Sequence, residues 1–217
     1  MESIYDLSLG FITKSSFGGI KQFGSSFEDR GYKIVSDYND NFYITGYTKG
    51  NLNGNINLGD SDVFIIKKNL HGITQWTTQI GSPNLDEGKD LHVDSEGNIY
   101  VTGITEGDFD NKTNLGDKDL FLFKLNNSGE ILWSKIIGTS SQDGGFGIEI
   151  DNSSNIFLIG ETFGEFDNNT HSGSSDLVLL KFDKQGEKVW THQFGTSSWD
   201  LGETISIDSE NNIYISG

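Results

Sequence analysis

Asp94-Ser95-Glu96-Gly97-Asn98-Ile99-Tyr100-Val101-Thr102-Gly103 is a tight-turn composition running straight into an apolar, β-branched run. Asp, Ser and Asn side chains bond nearby backbone and Gly accepts unusual φ, whereas Ile, Val, Thr and Tyr suit a pleated surface. The run that precedes the turn is clearest one copy later, in Gly147-Ile148-Glu149-Ile150-Asp151, where apolar and polar residues alternate at period two. The two runs and the turn read as a β-hairpin. Beyond a longer polar loop, Asp119-Leu120-Phe121-Leu122-Phe123-Lys124-Leu125 is apolar on both faces, as suits a strand covered on both sides. Asn126-Asn127-Ser128-Gly129 then turns it into Ile131-Leu132-Trp133-Ser134-Lys135-Ile136-Ile137. No run shows a capped helical pattern.

This unit is written about four times. Asp29, Asp86, Asp143 and Asp200 fall 57 residues apart without insertion, as do Gly31, Gly88, Gly145 and Gly202, then Asp37, Asp94, Asp151 and Asp208, and Gly46, Gly103, Gly160 and Gly217. A fixed period of this size marks units whose apolar faces only neighbouring copies can cover. Four antiparallel strands per copy predict an all-β fold, a β-propeller of four-stranded antiparallel blades in one domain over residues 1–217. Three copies are complete, at 24–80, 81–137 and 138–194, while 195–217 holds only a first hairpin. Lys21-Gln22-Phe23-Gly24 parallels Thr78-Gln79-Ile80-Gly81, so residues 1–23 are expected to supply the missing outer strands of a fourth blade. That closure leaves no open edge and predicts a monomer. The competing expectation is a fragment of a larger propeller.

The string Asp-x-x-Gly/Asn-Asn-Ile-Tyr-Val/Ile-Thr/Ser-Gly, then Gly-x-x-Asp-x-Phe-x-x-Lys and Gly-x-x-x-Trp, resembles the bacterial β-propeller repeat family SBBP. The resemblance implies a surface or secreted bacterial protein, no shared catalytic activity and no particular ligand.

Charge narrows the partners. With 15 basic and 32 acidic residues the net is −17, which repels phosphate backbones and anionic membranes, so nucleic acid is not expected as a ligand. With no Cys there is no disulfide and no thiolate metal site. Neither a signal peptide nor a membrane-inserting stretch is read in this chain.

The Asp29, Asp86, Asp143 and Asp200 series, each placed a few residues ahead of a first strand, is the candidate metal site. Ring closure would gather these carboxylates at a channel mouth, where Ca²⁺ or Mg²⁺ would suit them. The competing reading gives each Asp a local turn, bonded to N–H groups two residues on, with the following Gly serving a crowded axis at positive φ. No other cofactor is expected. The Asp94 segment lacks calcium-loop spacing and reads as a turn. Trp199-Asp200 is a single WD dipeptide and reads as coincidence; one Arg in the chain argues against sialidase chemistry. His71, His92, His171 and His192 sit at unrelated phases of the repeat, and Trp76, Trp133 and Trp190 repeat with it, as packing residues do.

Residues common to every copy build the blade, so a ligand site should use residues that break the pattern. Phe27, Arg30, Tyr47, Phe163, His171 and Trp199 do so in loops expected on one face, and suit a carbohydrate or protein partner. The expectation is a non-enzymatic binding or structural scaffold. A carbohydrate-active hydrolase using mouth carboxylates and a purely architectural spacer are the alternatives.

Overall fold

The computed structural model describes residues 21–217, preceded by the backbone of two short paired strands, β1 (Ile12–Thr13) and β2 (Ser16–Phe17). Three four-stranded antiparallel sheets follow, each a meander. The first is β3 (Asp29–Ser36), β4 (Phe42–Thr48), β5 (Asp62–Lys68) and β6 (Thr74–Ile80). The second is β7 (Asp86–Val93), β8 (Ile99–Thr105), β9 (Asp119–Leu125) and β10 (Ile131–Ile137). The third is β11 (Asp143–Ile150), β12 (Ile156–Thr162), β13 (Asp176–Phe182) and β14 (Lys188–Phe194). A two-stranded hairpin, β15 (Thr204–Ile207) and β16 (Ile213–Ser216), comes last. The fold is an all-β propeller-like array of repeated blades, with the first strands of successive blades touching one another at the inner edge.

The hairpin turn works as its composition requires. Asp94 Oδ1 accepts the N–H groups of Glu96 (2.9 Å) and Asn98 (2.8 Å), and its Oδ2 accepts the Asn98 amide and the Tyr100 hydroxyl. Asp37, Asp151 and Asp208 repeat the backbone part of this pattern. The first strands start earlier than the alternation suggested. Asp29, Asp86 and Asp143 are the first residues of their strands and do not precede them, because the Gly pairs that look like breakers are strand residues beside a bulge. In each blade the ladder skips one residue after the shared Gly: Tyr32, Lys89 and Phe146 are the extra residues. Those glycines have no positive φ, and crowding alone accounts for two of them. A Cβ on Gly88 would lie 2.3 Å from Thr45 Oγ1 of the preceding blade, and one on Gly145 would lie 2.5 Å from Thr102 Oγ1.

Blades pack front to back. Tyr43, Val63 and Ile65 on the front of the first blade share a core with Leu91, Val101, Phe121 and Phe123 on the back of the second. Tyr100, Leu120 and Leu122 repeat this against Ile148, Leu158, Val178 and Leu180, and Phe157, Ile159 and Leu179 against Ile205. Each fully buried aliphatic or aromatic side chain contributes roughly 1.5–3 kcal/mol, so these interfaces are the main source of stability. The Trp series also joins blades: Trp76 Nε1 donates to the Asn127 carbonyl in the neighbouring blade (3.0 Å) and lies beside the Tyr43 ring.

Backbone contact between blades is confined to the loop side. Asp86 N donates to Ser61 O (2.9 Å), Asp143 N to Lys118 O (2.7 Å) and Asp200 N to Ser175 O (3.0 Å), each beside one isolated parallel bridge. Among the described residues, β16 pairs with β15 alone. Residues 1–20 of the expected fourth-blade complement lie outside the residues whose side chains are described.

Candidate functional site

Loops ahead of each first strand and loops after each second strand share one face. Lys49 N bonds Glu28 O, Glu106 N bonds Leu85 O, and Phe163 N bonds Gln142 O, all at 2.8–2.9 Å. The candidate residues sit on this face, in separate groups.

Arg30 and Tyr47 come together through a residue the pattern did not single out. Tyr32, the bulged residue of β3, lies between them, with the Arg30 guanidinium 5.0 Å from its ring centroid and the Tyr47 ring 6.1 Å away. From the next blade, Lys89 Nζ sits 4.1 Å from the same centroid and pairs with Glu87. The Tyr47 hydroxyl donates to Glu28 Oε1 at 2.5 Å, and that bond, helped by burial, pushes its pKa up to about 12. This arrangement is a closed set of cation–π and ion pairs on the inner strands. The available signal was the bulge position itself, where Tyr32, Lys89 and Phe146 differ from blade to blade.

Phe163 and Trp199 meet at the junction of the third and fourth blades, edge to face at 5.4 Å with an 82° interplanar angle. Trp199 is 67% exposed. It borders a depression of about 350 Å³ formed with Leu177, Phe194, Thr196, Asp200 and Leu201. Phe27 is exposed against the Gly50 loop, away from both groups. His171 lies in the loop between β12 and β13, with Nδ1 3.4 Å from Asp176 Oδ2.

The Asp29, Asp86, Asp143 and Asp200 series is held locally, but from the opposite direction to the turn expected. Each Oδ2 accepts the N–H of the residue four places earlier: Ser25 (2.6 Å), Ser82 (2.6 Å), Thr139 (2.5 Å) and Thr196 (2.7 Å). The hydroxyls of the same four residues donate as well. No group of three or more His, Cys, Asp or Glu side chains converges to hold a metal among the described residues.

A second acid series, Asp62, Asp119 and Asp176, opens the third strands, and in sequence it looked only like a motif member. All three are fully buried. Each carboxylate leans on the first Gly of the next copy, Gly81, Gly138 or Gly195, where a Cβ would overlap its Oδ1. That Oδ1 has no hydrogen-bond partner in any of the three, nor does Asp143 Oδ1. The two series meet across blade junctions: burial first, then the neighbouring carboxylate, pushes Asp119 up to about 6 beside Asp143 and Asp86 up to about 6 beside Asp62. The backbone N–H of Leu115 bonds Asp119 Oδ2, and Gln79 Nε2 and Leu58 N serve Asp62 Oδ2. These residues fix blade ends. They face protein, not solvent.

The array of alternating sheets, each built from one repeated unit and covered by the next, defines a β-propeller repeat scaffold. The SBBP beta-propeller repeat is present in the chain, its family model matching residues 19–53 and 75–110. An uncharacterized WD repeat-containing protein, L264, of Acanthamoeba polyphaga mimivirus is 25% identical over 182 residues, covering 65% of this chain and 13% of the viral protein. The regulatory protein FlaEY of Caulobacter vibrioides is 20% identical over 137 residues, covering 57% of this chain and 14% of that protein. The chain thus spans a small part of the length of these relatives.

Proposed function

We propose that this chain is a non-enzymatic binding scaffold whose loop-bearing face takes a carbohydrate at the junction of the third and fourth blades. The observation that carries this reading is the exposed Phe163–Trp199 pair. Its Trp199 ring is open to a shallow depression rimmed by a hydroxyl and a carboxylate, Thr196 and Asp200. An aromatic face stacks on the C–H side of a sugar ring while neighbouring oxygens satisfy its hydroxyls. Thr196 already donates to Asp200, so the pair is pre-organised. The surrounding acidic surface, with a net of −17, opposes nucleic acid and anionic lipid as alternative ligands. No helix is long and apolar enough to cross a membrane among the described residues, and by resemblance to its repeat family the scaffold is assigned to a secreted or surface setting.

The test is a glycan array followed by titration calorimetry on the best binder. Trp199→Ala is expected to lose at least tenfold in affinity with its melting temperature held, and no reducing ends should be released. Undiminished binding by Trp199→Ala, or a chain that binds only protein, sinks the proposal; turnover abolished by one Asp substitution replaces it with the hydrolase reading.

A further inference from the structure

Position-by-position comparison along the repeat isolates one uncovered blade face. Ile34, Leu91, Ile148 and Ile205 occupy the same place on the backs of the four first strands, and their exposures are 37%, 1%, 2% and 8%. The glycines one turn of the pleat away agree. Gly88, Gly145 and Gly202 press on side chains of the preceding blade, whereas a Cβ on Gly31 would meet only Ile44 of its own blade, at 3.8 Å. The back of the first blade is therefore the one blade back whose inner edge is open among the described residues, and a cleft of about 850 Å³ runs along it, bordered by Gly31, Lys33, Ile34 and Phe27.

Only the inner half is open. Further out, Ile44, Leu52, Phe64 and Ile66 are buried in a cluster that includes Phe23. Phe23 stands where Ile80 and Ile137 stand in later copies, at the end of a fourth strand, and its ring meets Phe64 edge-on at 6.5 Å. What the face lacks is the contribution of a first and second strand. The β15–β16 hairpin is such a pair, and its own front is uncovered. Tyr214 is 58% exposed, although Tyr43, Tyr100 and Phe157 at the same place are 0%, 1% and 3% exposed under the next blade.

We infer that the back of the first blade docks the front of the β15–β16 hairpin of a second copy of this chain, head to tail. The interface it would form is continuous with three already present, which fixes the partner surface as a Tyr-bearing inner hairpin of this same repeat. Within one chain both faces are open at once, so they do not satisfy each other. The contact is heterologous: Ile34 of one copy faces Tyr214 of the other, and it closes a ring or extends an array. This inference stands apart from the carbohydrate reading, since neither Phe163 nor Trp199 takes part.

The test is native mass spectrometry and light scattering of the 217-residue chain across a dilution series. Wild-type chain is expected to populate dimers or larger head-to-tail species that dissociate on dilution. Ile34→Asp and Tyr214→Asp, both at exposed positions, should each be monomeric with unchanged circular dichroism. Mixed together they should form a 1:1 dimer, because each retains the half that the other has lost. A monomeric wild type overturns the inference, and so does a Tyr214→Asp chain that still self-associates. If either variant misfolds, hydrogen exchange of the wild type decides: protection at Ile34 and Tyr214 must rise together with concentration, and protection independent of concentration indicates closure within one chain and overturns it.

Discussion

Two sets of aspartates repeat at the same 57-residue interval and live under opposite conditions. In the hairpin turns, Asp37, Asp94, Asp151 and Asp208 are ringed by donors. For Asp208 the Asn212 side chain leads in holding the carboxyl below the usual range, and for Asp37 the Asn41 and Asn39 bonds outweigh burial to the same end. At the blade junctions, Asp62, Asp86, Asp119 and Asp143 are buried beside one another and all are raised, with burial the leading cause. Repetition by itself says that a residue is needed in each blade. Whether it is needed charged or merely shaped is decided by solvent and donors.

The contrast can be broken or sharpened in four ways. Asp94→Ala removes the acceptor of four hydrogen bonds and leaves backbone N–H groups of a tight turn unmet, so a loss of about 3 kcal/mol in urea unfolding is expected. A loss below a tenth of that means the turn acids are not structural. Next in size is the pH response. Asp86 and Asp119 titrate near 6 in the folded chain against about 3.9 unfolded, so as pH falls from 7 toward 4.5 the native state takes up protons first and gains about 2 kcal/mol. Below pH 4 the order reverses for Asp37, Asp167 and Asp208, held low in the fold, and stability drops. A melting temperature that is flat or falling between pH 7 and 4.5 contradicts the junction description. Third, Asp119→Asn keeps the shape and an acceptor for Leu115 N while removing the charge facing Asp143; it should stabilise by about 1 kcal/mol at pH 8 and lose that advantage near pH 5. Smallest is Glu28→Gln, which changes stability by under about 0.5 kcal/mol yet lowers the Tyr47 pKa from about 12 toward 10, read by NMR titration of the ring.

Much of the fold was legible because the repeat reports its own registers. The third and fourth strands of the second copy begin and end where the apolar runs do, at Asp119–Leu125 and Ile131–Ile137. First strands were less legible, since Asp143-Gly144-Gly145 has a turn composition and the bulge that tolerates it depends on the partner strand. The Trp series was read as packing and packs. For the site, single residues were visible and their groupings were not. Phe163 meets Trp199, and Arg30 meets Tyr47 only through Tyr32, because contacts between copies depend on how blades are rotated against each other. Asp119 looked like a solvated strand start. Its burial comes from the following copy's Gly138, more than a dozen residues on.

The single parallel bridge at each junction, Ser61 to Leu85, Lys118 to Gln142 and Ser175 to Trp199, gives the array a spine along one margin, as pages have. Tension drawn along the chain must cross these stitches one at a time, while each page is held internally by three full ladders. Stretching should therefore yield a saw-tooth of similar rips, one per page, and the loop margin should stay bound after the opposite margin has begun to fan open.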